Sequence, residues 1–332
     1  MRPSHRNLAG HDAHTRASRL RVALVINLVI VGVQVVVGVR SHSLGLLADA
    51  GHNLTDVVGL TLAFVAVLFT RRPATTHRSF GWHRGTILAA QANAAMILVL
   101  TVWIVVAGVK RLSDAPPVNG APVLIVALLA FVANAIAAVM VREPHHHHPD
   151  EPARAPDAAA IPRRDLNLHA AMLHLVGDAA ASLGVAVAGA VIVLTDGWYW
   201  LDPAVSITIG LSIGWHAWRL LRSSNAVLLE GVPAGIDPLE LRDSMLAVAG
   251  VDAVHDLHVW AIASNFVALS AHIVVRDQPT LAEAQAIAAN VRQVLDRRYA
   301  ITHSTLELED IACTPDGEPC DFTEPLPRGS HA

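Results

Sequence analysis

The chain has 332 residues, of which 53% are hydrophobic and only 16% charged, with a mean hydropathy of +0.44. Soluble globular chains carry about 25% charged residues, so the composition points to a membrane protein. A net charge of −4 and a pI near 6.5 exclude nucleic-acid binding as the main role. The 19 histidines, nearly as many as the 24 Lys and Arg, direct attention to metal ions or protons.

Residues 1–18 are polar and basic, with no apolar stretch leading to a small-residue cleavage site, and are read as a cytoplasmic tail rather than a signal peptide. A membrane-spanning helix needs about 20 mostly apolar residues to cross roughly 30 Å of hydrocarbon. Six segments qualify, at about 20–39, 45–69, 86–110, 121–141, 168–195 and 201–221, giving a six-helix membrane domain over 19–222. The short loops that hold Arg71, Arg72, Arg78 and Arg84, then Arg142, Arg154, Arg163 and Arg164, lie on the same side as the arginines of the first 21 residues. The excess of basic residues makes that side, and both termini, cytoplasmic.

The stretch 143–164 is rich in Pro, Ala and charge and reads as a cytoplasmic linker. Its run His145–His148 is either a weak metal-capture tract or a neutral length of linker. Residues 223–312 have the texture of a soluble domain. Asp237-Pro238 opens an amphipathic helix, VDAVHDLHVWAI and NFVALSAHIVV alternate as strands, a helix covers 280–298, and THSTLELED forms a last strand. That order predicts an α+β layer structure with its helices on one face of the sheet. Residues 313–332 read as a flexible tail holding the two cysteines, Cys313 and Cys320, too few for a disulfide framework.

The chemistry is concentrated in the second and fifth apolar segments. LADAGHNLTDVVGL places His52 four residues before Asp56, and LHLVGDAAASLGV places His174 four residues before Asp178. Residues four apart share a helical face, so each pair can present one imidazole nitrogen and one carboxylate oxygen to a common point. Two such helices side by side offer the N₂O₂ set that suits tetrahedral Zn²⁺. Carboxylates deep in a membrane helix are costly and mark function. Asp49, one turn before His52, either lines an exit path or caps and solvates the helix start. Asn53, Asn134 and Ser182 are read as bridges between helices, and His169 as interfacial.

Four motifs, SLGLLADAGHNLTD, RSFGWHRG, HAAMLHLVGDAAASLG and HDLHVW, together resemble the cation diffusion facilitators, especially their zinc-exporting bacterial branch. The likeness runs in order from about residue 19 to 312. It implies a homodimer in the inner (plasma) membrane, antiport of metal against protons, and a ferredoxin-like cytoplasmic domain. It also implies that the His52–Asp56 and His174–Asp178 pairs are the transport site, with histidine in both marking zinc. His255, His272 and Glu307 are implied as a cytoplasmic zinc site, with Asp256, His258 and Glu309 as less favoured members and Cys313 and Cys320 as either contributors or free thiols. His77 and His83, six apart in the loop after the second segment, stand where relatives can hold a metal. Here Arg78 and Trp82 replace histidines of some relatives, which favours a solvated loop.

Rival classes are a zinc-gated channel, a membrane zinc sensor, and an exporter of Cd²⁺, Co²⁺ or Ni²⁺. An enzyme is disfavoured: no His-Glu-x-x-His occurs, and four protein ligands leave little room for an activated water.

Overall fold

The computed structural model describes residues 28–141, 163–264 and 266–310. The His145–His148 run, Cys313 and Cys320 lie outside the described residues. The chain divides into two compact units, one built from the residues up to Thr61 together with Asn93–Trp218, the other from Leu62–Ala92 together with Arg219 onward.

The long helices are α1, described over Leu28–Arg40, then α2 (Leu44–Thr70), α3 (Gly85–Ser113), α4 (Gly120–Val141), α5 (Arg163–Thr195) and α6 (Leu201–Leu228). Their bounds follow the apolar segments closely, except that α5 begins and α6 ends several residues further into polar sequence. Among the described residues, four stretches are long and apolar enough to cross a membrane: Leu44–Thr70, Gly85–Ser113, Gly120–Val139 and Met172–Thr195. Large apolar side chains such as Leu60, Val99, Ile125, Leu129, Val139 and Leu194 stand exposed. Helices apolar all round belong in a hydrocarbon medium, where such an exterior is the stable one.

The interior of the first unit is sealed by small residues and branched aliphatics. Leu46, Val123, Ala127, Val185, Ala186, Ile192 and Ile209 form a buried cluster from α2, α4, α5 and α6. A Cβ on Gly120 would stand 2.8 Å from the Gly189 carbonyl oxygen, and one on Gly189 would stand 3.0 Å from the Leu124 nitrogen. Glycine at both positions therefore lets α4 and α5 approach backbone to backbone, the packing that membrane helices exploit in place of a hydrophobic drive.

Asp202, in the first turn of α6 and 2% exposed, fixes the start of α2. Its Oδ1 accepts from the Ser43 hydroxyl at 2.5 Å and the Gly45 N–H at 3.1 Å, and its Oδ2 accepts from the Leu44 N–H at 2.6 Å. The carboxylate thus satisfies orphan donors at the N-terminus of a neighbouring helix and sits in its positive field.

In the second unit, α7 (Pro238–Leu246), β1 (Val251–Ala263), β2 (Phe266–Val275), α8 (Leu281–Tyr299) and β3 (His303–Glu309) follow the expected order. Asp237 caps α7 by accepting from the Leu239 N–H, with Pro238 in the first turn. Thr280 and Glu283 form a capping box on α8. Those bonds hold the Glu283 carboxyl below the usual carboxylate range. The sheet has the order β1-β2-β3, with β1 antiparallel and β3 parallel to β2. Leu241 and Met245 of α7 and Val291 and Leu295 of α8 pack on Leu269, Ala271, Ile273 and Val275 of β2. Both helices therefore cover one face, and the alternate residues, His272 among them, lie on the other.

A single departure from alternation matters for the site. His255 and His258 are three apart, which in a regular strand puts them on opposite faces. Here His255 pairs with His272 and His258 with Ser270, so three steps along β1 match two along β2. The bulge centres on Asp256, at φ 48°, and Asp is among the residues that adopt this left-handed backbone at least cost. Both histidines are thereby turned to the helix-free face.

Asp202→Ala strips three donors of their acceptor. Charged hydrogen bonds contribute about 1.5–3 kcal/mol each, so the variant is expected to unfold at least about 5 °C lower than wild type in a detergent thermal melt. A melt within 1 °C of wild type contradicts this capping role.

Candidate metal centres

The helices α2 and α5 meet so that residues ascending one face those descending the other. Asp56 faces His174, His52 faces Asp178, and Asp49 faces Ser182. The first two rungs bring the four expected residues into one cluster, with their ligand atoms within 4.8 Å of one another. His52 Nε2 lies 3.1 Å from Asp178 Oδ1 and 3.6 Å from Asp56 Oδ2. His174 Nε2 lies 3.4 Å from Asp56 Oδ2 and 3.6 Å from Asp178 Oδ2.

Asp178 meets His52 through Oδ1 and His174 through Oδ2, whereas Asp56 meets both through Oδ2, so the separations run over two nitrogens and three oxygens. Zinc bonds of about 2.0–2.2 Å to nitrogen and oxygen give a tetrahedral edge of about 3.3–3.6 Å, and the observed separations bracket that length. The cluster is also lopsided: the His52 and Asp178 side chains are 11% and 7% exposed, those of Asp56 and His174 26% and 50%. An ion would be reached from the Asp56–His174 side.

Asp49 neither caps nor solvates the helix start. It is fully buried, and its Oδ2 accepts from Gln34 Nε2 of α1 at 2.6 Å and from the Ser182 hydroxyl of α5 at 2.9 Å. Ser182 is thus the interhelical bridge expected of it. Gln34 was not singled out from sequence, because a lone glutamine in an apolar helix carries no spacing signal.

On the helix-free face of the sheet, His255 and His272 lie side by side with ring centroids 5.2 Å apart. The carboxylate that joins them is Glu309, not Glu307. Glu309 Oε2 is 2.9 Å from His255 Nε2, and its Oε1 is 2.7 Å from His272 Nδ1. His255, His272 and Glu309 form a three-ligand group. Glu307, 67% exposed, reaches only His272 Nε2, at 3.5 Å. The difference between the two glutamates has a physical cause. Glu307 is the direct neighbour of His272 in the parallel register, whereas the diagonal position of Glu309 lets each oxygen serve one imidazole. Asp256 borders the group, 3.5 Å from His272 Nε2 and 2.9 Å from His258 Nε2.

His77 and His83 are not brought into such a group among the described residues. The His83 ring packs edge-on against Phe266, and Arg78 lies 3.4 Å over Trp82, whose ring also meets Phe69. The loop is organised by aromatic and cation–π contacts. His77 shares a cavity of about 1100 Å³ with His255 and His258.

Apolar membrane-length helices and an intramembrane His/Asp cluster define a multi-pass membrane protein built to handle a metal cation. The chain belongs to the cation efflux family: the family's transmembrane domain matches residues 20–229 and its cytoplasmic domain residues 233–311. This bears out the resemblance to the cation diffusion facilitators. The metal cation efflux system protein CzcD of Cupriavidus metallidurans is 35% identical over 89% of this chain and 87% of its own length. The zinc transporter ZitB of Escherichia coli is 34% identical over 100% of this chain and 99% of its own. The cadmium, cobalt and zinc/H(+)-K(+) antiporter of Bacillus velezensis is 30% identical over 97% and 99%.

The two glutamates of β3 can be separated by experiment. In an Asp178→Ala background, which takes one carboxylate from the helix cluster, Glu309→Gln should weaken zinc binding measured by calorimetry at least about tenfold, and Glu307→Gln less than about threefold. Equal losses would contradict the assignment of Glu309.

Proposed function

We propose that this chain exports Zn²⁺ from the cytoplasm by antiport against protons, through the site made by His52, Asp56, His174 and Asp178. The observation that carries this reading is the convergence of one ligand atom from each of the four residues within 4.8 Å, with nitrogen–oxygen separations of 3.1–3.6 Å close to the edge of a tetrahedral zinc complex. Two carboxylates cancel the charge of one divalent ion, and two imidazoles suit a borderline metal better than an all-oxygen cage. Four protein ligands also fill the tetrahedron, which favours carriage over catalysis.

Coupling follows from ligand chemistry. An ion binds only when both carboxylates are ionised and both imidazoles offer a lone pair at Nε2, so loading the site releases protons and protons displace the ion. A site reached alternately from either side then exchanges zinc for protons. Entry from the Asp56–His174 side, the C-terminal end of α2, places the more exposed pair towards the cytoplasm in the orientation set by the basic loops.

The same reading gives six spanning helices, α1 to α6, in the inner membrane, both termini in the cytoplasm, and residues 223–312 as a ferredoxin-like metal-binding domain of a homodimer. His255, His272 and Glu309 fit a zinc ion there. Their donor set is two imidazoles and a carboxylate, and His255 Nδ1 is buried with no hydrogen-bond partner. A bound ion would hold β1 and β3 to the central strand. A broader substrate range, with Cd²⁺ and Co²⁺ beside Zn²⁺, is favoured by the name of the Bacillus relative.

Inside-out vesicles with an imposed pH gradient test this. Zinc should accumulate with the gradient in wild type, and the rate should fall at least about 100-fold in Asp178→Ala. Equal flux in both would sink the site. Flux independent of the gradient would indicate a channel.

A further inference from the structure

Three side-chain atoms are buried beside the transport site without a hydrogen-bond partner: His52 Nδ1, Asp49 Oδ1 and Gln34 Oε1. Their residues are 9%, 0% and 0% exposed, so unpaired polar atoms there are costly. Gln34 and Asp49 are already bonded through their other atoms at 2.6 Å, and Asp49 is one helical turn from His52 on the same face of α2. His52 Nε2 points the other way, to Asp178 at 3.1 Å.

The inventory of these atoms is specific. Asp49 Oδ1 and Gln34 Oε1 can only accept, while His52 Nδ1 donates in one tautomer and accepts in the other. One water that accepts from His52 Nδ1–H and donates to Asp49 Oδ1 and Gln34 Oε1 satisfies all three, with the three bonds typical of a buried water. That arrangement places the proton of neutral His52 on Nδ1 and leaves the Nε2 lone pair for the cation. Gln34 and Ser182 hold Asp49 Oδ2 from α1 and α5, so the carboxylate cannot turn away.

We propose that Asp49 is a positioning residue for the metal site, acting through an ordered water to fix the tautomer and ring orientation of His52. The proposal rests on the reading of the four-residue cluster as the transport site. It gives a zinc ligand the outer carboxylate partner that metal-bound imidazoles commonly have. It also makes α1, which supplies no ligand, part of the site's geometry.

Asp49→Asn keeps the shape but substitutes a donor for the acceptor that faces the water. The water then turns its hydrogen towards His52 Nδ1 and the proton moves to Nε2, where it competes with zinc. In vesicle transport the variant should raise the KM for zinc about 10–100-fold, more than it lowers the maximal rate. An unchanged KM, whatever happens to the rate, overturns the proposal, because a merely structural role would act through the rate and the amount of folded protein. Should Asp49→Asn fail to fold, ¹⁵N NMR of the zinc-loaded wild-type protein decides, the His52 signals being those lost in His52→Gln. Metal on Nε2 already places the proton on Nδ1, so its hydrogen bond decides: an Nδ1–H that exchanges slowly and shows a nuclear Overhauser contact to a bound water supports the bridge, and an Nδ1–H without that contact, or metal on Nδ1, overturns it. Wild type that moves no zinc would defeat the export reading instead, and the NMR result would still judge Asp49.

Discussion

Two carboxylates held close together in a hydrocarbon medium repel each other unless something positive stands between them. Asp56 and Asp178 are in that position, each within 3.6 Å of both His52 Nε2 and His174 Nε2. Placing an aspartate at the centre of a membrane helix costs at least about 2.5 kcal/mol, so two of them on facing helices are tolerated only with partners. Protons on the imidazoles or a divalent cation among the four groups supply the missing charge. The two occupants exclude each other, because both use the same nitrogen lone pairs. The proposed exchange of cation for protons rests on that charge balance.

The proposed preference for zinc rests on geometry. The antiparallel meeting of α2 and α5 brings two i, i+4 pairs into one cluster with nitrogen–oxygen separations of 3.1–3.6 Å, and the elements around them serve to keep it so. Asp202 pins the start of α2 by three hydrogen bonds. Gly120 and Gly189 draw α4 against α5. Asp49 ties α1, α2 and α5 together one turn away from the ligands. In the proposed reading, such anchored walls oppose widening to the larger, oxygen-rich shells that calcium and manganese prefer. The sheet domain solves a similar problem with different means, using a bulge at Asp256 to turn His255 onto the face that carries His272 and Glu309.

The parts of this arrangement that were legible in the sequence are those fixed by short spacing. Helical periodicity alone puts His52 beside Asp56 and His174 beside Asp178, and hydropathy alone marks the long helices. What sequence left open depends on contacts between distant segments. Glu307 and Glu309 share a face of β3, so only the register of β3 on β2 distinguishes them. The partners of Asp49 lie 15 and 133 positions away, and neither Gln34 nor Ser182 carries a pattern that announces the pairing. Asp202 is likewise an ordinary first-turn acid until the start of α2, 158 positions earlier, is found against it.

The most direct test of the central claim is zinc K-edge X-ray absorption on the purified full chain, with His255→Ala and His272→Ala removing the sheet site. The expected spectrum is that of four nitrogen and oxygen neighbours at about 2.0–2.1 Å, with the multiple-scattering signature of two imidazoles. A six-coordinate oxygen shell, or a sulfur neighbour near about 2.3 Å, would contradict it.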